Sequence, residues 1–133
     1  MAGAEIGGDI AEIGHGVDIE PDIRHGDHDI GMTEAEVRAT GRPALIGIRP
    51  MTRVTRAVEK GESLGFLKIL VDAETKQILG ASLLGVGCDE AIHSLLDIMY
   101  ARAPYTTITH AVHIHPTVSE LLPTVLEDLK PLT

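Results

Sequence analysis

The sequence predicts an α+β domain, an antiparallel sheet of about three to five strands with helices packed on it. Three observations carry that prediction. Residues 65–84 alternate like a hairpin: Leu67, Ile69 and Val71 point one way while Phe66, Lys68, Leu70 and Asp72 point the other. Two later stretches carry helical apolar stripes, Ala91, Ile92, Leu95, Leu96, Ile98 and Met99, then Leu121, Leu122, Val125 and Leu126. The whole is 133 residues and 44% hydrophobic, the size and composition of one globular domain.

Taken in order, residues 1–30 read as an acidic leader rich in Gly and His, and residues 31–133 as the domain. Ile6, Ile10 and Ile13 share a helix face, but Gly7 and Gly8 weaken any helix there. Thr33-Glu34-Ala35-Glu36 is a capping box, so a helix runs to about Thr40, where Gly41 and Pro43 end it. Ala44–Arg49 reads as a strand closed by Pro50, and Met51–Val58 as a second extended stretch before the turn Glu59–Glu62. Gly65–Asp72 is the clearest strand, Ala73–Lys76 its turn and Gln77–Leu84 its antiparallel partner. Gly80 and Ala81 within that partner imply close packing by a neighbouring element. Gly85-Val86-Gly87 leads into a helix from about Asp89 to Arg102, stopped by Pro104. Tyr105–His110 predicts a short helical turn capped by Thr106. Val118–Leu129 predicts the last helix, kinked or restarted at Pro123.

Composition narrows the function. Aromatic residues are only Phe66, Tyr100 and Tyr105, so the core is aliphatic. A net charge of −9 argues against a nucleic-acid or anionic-membrane surface. Residues 1–32 hold eight acids and one base, so most of that charge belongs to the leader. No apolar run is long enough to span a membrane, and no secretory signal is visible. Cys88, the single cysteine, fits a reducing cytoplasm and cannot form an internal disulfide.

The chemistry concentrates in His113-Ile114-His115-Pro116-Thr117-Val118-Ser119-Glu120. Pro116 keeps His115 out of helical conformation, which sets its ring on a stiff turn. Thr117 and Glu120 have capping-box spacing, and a carboxylate there can bend back toward the ring. A His held by a carboxylate through one nitrogen can exchange a proton through the other. Taken alone, Thr-x-x-Glu before an apolar run means only a helix start.

His-Pro-Thr-x-Ser-Glu follows Asp-Glu-Ala-Ile-His-Ser-Leu-Leu-Asp, which follows Gly-Phe-Leu-Lys-Ile-Leu-Val-Asp-Ala-Glu-Thr-Lys-Gln-Ile-Leu-Gly-Ala. This succession resembles the C-terminal dimerisation domain of the pyridine nucleotide-disulfide oxidoreductases, the flavoproteins that include glutathione reductase, dihydrolipoamide dehydrogenase and mercuric reductase. The resemblance covers roughly residues 31–133. It implies a homodimer in which His115 is the proton-exchanging base and Glu120 its partner, acting on the redox disulfide of the other subunit. It implies that the His115–Pro116 bond is cis and presents its carbonyl to that subunit's FAD. It also implies FAD and NAD(P)H in a parent enzyme, held by a flavin-binding domain. This chain has neither a Gly-x-Gly-x-x-Gly after a strand nor a redox cysteine pair, so it is expected to bind no cofactor and to show no turnover alone. Where the family carries an extended strand, residues 23–31 depart from the pattern, which leaves that strand open.

Other residues compete for attention. His110, His113 and His115, with His15, His25 or His28, suggest a zinc site, but their spacing does not aim three rings at one point. His93 shares a helix face with Glu90, Asp97 and Tyr100 and reads as a surface or interface residue. Cys88 stands at a helix N-terminus, where a thiol is acidified, though a lone small thiol at a tight turn is more often packing. Arg53 and Arg56 read as a solvated strand face. The alternatives to the reductase reading are a self-associating structural module without catalysis, and a His-based metal-binding module. The helical stripe at Ala91–Met99 is wider than one core face needs, which suggests either a helix sandwiched within the domain or a second face for a partner chain.

Overall fold

A computed structural model describes residues 23–24, 28–53 and 65–133. The helical face at Ile6–Ile13, the turn at Glu59–Glu62, Arg56, His15 and His25 lie outside the described residues. Among the described residues, six strands form one antiparallel sheet in the order β1-β2-β5-β4-β3-β6. They are β1 (Ile23–Arg24), β2 (His28–Gly31), β3 (Ala44–Pro50), β4 (Phe66–Asp72), β5 (Ile78–Leu84) and β6 (Lys130–Pro131). The α+β class stands as expected. The strand count exceeds the expected range because β1 and β6 are two-residue pairings at the two edges. Of the strand left open at residues 23–31, His28–Gly31 forms and pairs with β5, Ile30 opposite Ala81 and Gly31 opposite Gly80.

The β4–β5 hairpin is central because nearly every residue in it finds a neighbour to pack on. Leu67, Ile69 and Val71 are fully buried on one face, and Leu70 and Asp72 are buried on the other. Gly80 is required where it stands, since a Cβ there would run into the Met32 backbone. The neighbouring element is thus the chain leaving β2.

The helices are α1 (Glu34–Ala39), α2 (Cys88–Tyr100), α3 (Thr106–Thr109) and α4 (Leu121–Glu127). Thr33 caps α1 through the full capping box: Glu36 N–H donates to Thr33 Oγ1 at 3.2 Å, and Thr33 N–H to Glu36 Oε2 at 2.7 Å. Helix α2 packs on β5 and β2, and α4 on β3 and β4. Gly47 lets α4 lie down on β3, because a Cβ at that position would sit 2.6 Å from the Val125 carbonyl oxygen. On the opposite side of the sheet, Lys68 reaches Glu34 of α1 at 3.1 Å.

Several expectations need correction. Met51–Arg53 is a single 3-10 turn, not an extended stretch; Thr55 and Val58 are outside the described residues. Thr106 does not cap α3, whose N-cap is Tyr105 with no side-chain hydrogen bond. The last helix begins at Leu121, not Val118. Pro123 is therefore in its first turn, where the backbone N–H has no helical acceptor to lose, and no kink is needed. Most of the wide stripe on α2 is taken up within the chain. Cys88, Ala91, Ile92, Leu95, Leu96 and Met99 are all buried within the chain, as are Leu121, Leu122, Val125 and Leu126 of α4. Ile98 is half-buried, and Glu90, His93, Asp97 and Tyr100 are exposed, so α2 is covered by the sheet on one face and open on the other. Among the described residues, no helix is long and apolar enough to cross a membrane.

Candidate functional site

The segment between α3 and α4 is pinned at both ends by hydrogen bonds. The Ala111 N–H donates to the Ile108 carbonyl at 3.1 Å, and the Thr117 hydroxyl donates to the Ile114 carbonyl at 2.7 Å. Leu121 and Leu122 N–H groups then turn back onto the Val118 and Ser119 carbonyls, both at 3.1 Å, to lead into α4. The His115–Pro116 peptide is cis, in agreement with the expectation.

Within this frame the capping box closes even though the helix starts later. Glu120 N–H donates to Thr117 Oγ1 at 3.2 Å, and Thr117 N–H donates to Glu120 Oε2 at 3.0 Å. The same carboxylate takes the His115 ring: Nδ1 lies 2.7 Å from Oε1 and 2.9 Å from Oε2. Local helix-start chemistry and a His–carboxylate pair are one structure here, not rival descriptions. An ionised carboxylate can only accept, so this geometry places the proton on Nδ1. The hydrogen bond from His115, and then that from the Thr117 backbone, hold the Glu120 carboxyl below the usual carboxylate range. The ring is 66% exposed and Glu120 only 21%, so the carboxylate is the seated partner and the imidazole the presented one.

The remaining candidates separate from this pair. His110 is exposed and His113 half-buried, and no three His, Cys, Asp or Glu side chains among the described residues are placed to hold a metal ion. His93, with Glu90, Asp97 and Tyr100, lies on the exposed face of α2. Cys88 is the first residue of α2 but is completely buried, and desolvation, with Asp89 adding to it, pushes its thiol up to about 11. Burial defeats the acidifying effect of the helix end, and Cys88 is a packing residue. Arg53 is exposed, as its sequence context suggested.

The Gly87 turn before α2 is closed by Val118, whose Cγ2 would be 2.9 Å from a Cβ on Gly87. A cavity of about 80 Å³ beside Asp29, Lys68 and Ser82 is well short of the ~300 Å³ at which ligand pockets begin. What sequence reasoning missed at the site is the exposure of Val112 and Ile114, 100% and 79%. The signal was available: two aliphatic residues alternate with histidines in a stretch that belongs to neither helical stripe.

Comparison with known proteins agrees with this architecture. Residues 29–126 match the family described as pyridine nucleotide-disulphide oxidoreductase, dimerisation domain. The probable pyridine nucleotide-disulfide oxidoreductase RclA of Escherichia coli (strain K12) is 36% identical over 93 residues, which cover 70% of this chain and 21% of that protein. Dihydrolipoyl dehydrogenase 3 of Pseudomonas putida is 38% identical over 93 residues, 70% of this chain and 20% of that protein. The solved structure of the HOCl-induced flavoprotein disulfide reductase RclA from Escherichia coli superposes with a TM-score of 0.74 at 33% identity, covering 77% of this chain and 23% of that one. The chain thus spans about a fifth of the length of the curated relatives it matches.

Proposed function

Because the chain belongs to the dimerisation-domain family of the pyridine nucleotide-disulphide oxidoreductases, we propose that it joins two subunits of a disulfide reductase and lends His115 and Glu120 to the partner subunit's redox disulfide. The single observation that supports this most is the 2.7 Å contact of His115 Nδ1 with Glu120 Oε1 on an exposed turn. FAD and NAD(P)H would be held by the flavin-binding part of such an enzyme, where they supply the electrons. The work of this chain is proton transfer and assembly as a homodimer.

In this reading a substrate thiol gives its proton to His115 Nε2 as its sulfur attacks the redox disulfide. One S–S bond forms, the other breaks, and a thiolate leaves. Thiolates attack and leave better than thiols, so a base at that point controls the rate. Glu120 keeps the proton on Nδ1 and stabilises the imidazolium while it exists. The His115–Pro116 backbone faces the partner's flavin, by likeness to the family. A cytoplasmic setting suits a reaction that consumes and produces thiols.

In a full-length reductase carrying this domain, His115→Gln is expected to lower dithiol–disulfide turnover by on the order of a hundredfold or more, the scale of a lost general base. Reduction of the flavin by nicotinamide should stay intact. Unchanged disulfide turnover would reject the acid–base role.

A further inference from the structure

We propose that Thr117 is a positioning residue for the proton transfer, its hydroxyl clasping the two backbone segments that carry His115 and Glu120. The proposal rests on the acid–base reading above and goes beyond it by assigning the residue that keeps the pair in register.

The Thr117 hydroxyl is used twice. It donates to the Ile114 carbonyl at 2.7 Å, and its oxygen accepts the Glu120 N–H at 3.2 Å. The Ile114 carbonyl belongs to the peptide bond that leads into His115. One bond therefore holds the backbone under the imidazole, and the other holds the backbone under the carboxylate. A hydroxyl can give and take a hydrogen bond at once, which an apolar side chain of the same shape cannot. The Thr117 N–H adds a third tie, donating to Glu120 Oε2 at 3.0 Å. Pro116 has no N–H to offer, so Thr117 is the first residue after His115 that can supply one.

The capping box at α1 shows what a helix start needs. There Glu36 N–H donates to Thr33 Oγ1 at 3.2 Å and Thr33 N–H to Glu36 Oε2 at 2.7 Å. The box at Thr117 has the same two bonds and adds the hydroxyl bond to Ile114, which reaches back toward the ring and not forward into the helix. Its footing is firm as well. Val118, next in the chain, is buried against the Gly87 turn, and Thr117 itself is half-buried. The threonine thus joins a fixed floor to a presented ring. Branching at Cβ restricts its χ1, so the hydroxyl is aimed in advance. Without it the carboxylate and the imidazole can drift apart, and displacements of about an ångström are costly in such a transfer.

Thr117→Val removes the hydroxyl and keeps the shape, while Thr117→Ser keeps the hydroxyl. Imidazole nitrogen-15 and carboxyl carbon-13 NMR of the 133-residue chain read the pair directly. In the wild type His115 should carry its neutral-form proton on Nδ1. Thr117→Val should give a mixture of tautomers and a Glu120 that titrates higher than in the wild type. Thr117→Ser should match the wild type, and far-ultraviolet circular dichroism should be the same for all three. In a full-length reductase carrying this domain, Thr117→Val should lower kcat for dithiol–disulfide turnover by on the order of tenfold, with KM unchanged. Thr117→Ser should recover most of that loss. Thr117→Ala also lacks the hydroxyl and should repeat the valine result, so a folding defect peculiar to valine does not decide the test. Wild-type tautomer and Glu120 titration in the hydroxyl-free variants, or a serine variant as impaired as they are, overturns this inference and leaves the His115 reading standing. Full turnover in His115→Gln overturns that reading, and with it any part for Thr117 in turnover.

Discussion

Asp72, at the end of β4, accepts hydrogen bonds from the backbone N–H groups of Glu74 and Thr75, both at 2.9 Å, and from Arg42 Nε at 2.7 Å. Glu120, ahead of α4, accepts from the Thr117 N–H at 3.0 Å and from His115 Nδ1 at 2.7 Å. Both carboxylates close a turn with backbone donors and then take one nitrogen cation or near-cation. Burial by itself would raise the Asp72 pKa, but the bonds from Arg42 and the two N–H groups outweigh it and leave it lowered. Glu120 is lowered chiefly by His115.

The difference lies in the partner and in the exposure. Arg42 is charged at any pH the protein meets, and the Asp72 side chain is wholly inaccessible. That cluster can only hold a hairpin together. An imidazole, unlike a guanidinium, can change its charge in the physiological range, and that of His115 stands mostly in solvent. The same motif, moved to an open turn and given an imidazole, becomes able to move a proton.

Removing each carboxylate should separate the two uses. Asp72→Ala strands the Arg42 guanidinium and two N–H groups, and chemical denaturation should show a loss of about 3 kcal/mol. Glu120→Gln should leave the unfolding midpoint nearly where it was, because the pair is solvent-screened. In the full-length reductase it should instead cost at least about tenfold in disulfide turnover, since His115 loses its orienting partner. A stability loss at Glu120 matching that at Asp72 would erase the distinction.

A capping box without a histidine sharpens it further. Thr33→Ala removes the cap of α1 and should cost about 1 kcal/mol by thermal or denaturant unfolding, with no effect on turnover. The pH dependence of stability should follow Asp72. Its folded pKa is lowered, so its contribution is complete above the unfolded value of about 3.9 and is lost as pH falls through the folded value. Asp72→Asn should flatten that acid limb. The smallest effect belongs to Cys88: buried, with its thiol near 11, it should resist maleimide labelling in the native protein at pH 8 and label on unfolding.

The hairpin and the dyad were both legible in the sequence, for different reasons. Leu67, Ile69 and Val71 obey a period of two, which only a strand satisfies, and His115, Pro116, Thr117 and Glu120 interact within six residues, where spacing fixes geometry. Asp72 was read as one more residue on a strand face because its partner, Arg42, is thirty positions away. The fate of the α2 stripe was equally hidden, since periodicity counts apolar residues but does not say whether sheet or neighbouring chain covers them. Pro123 looked internal only because the capping box at Thr117 was taken for the helix start; a turn over residues 118–120 separates the two.

The central claim is that Glu120 and His115 form one acid–base unit, and carboxyl carbon-13 NMR titration of Glu120 tests it most directly. In the wild-type chain Glu120 should titrate below the ordinary glutamate value of about 4.3. In His115→Gln it should move up toward that value, with the Thr117 N–H alone still holding it down. A Glu120 that titrates identically in both proteins would contradict the account.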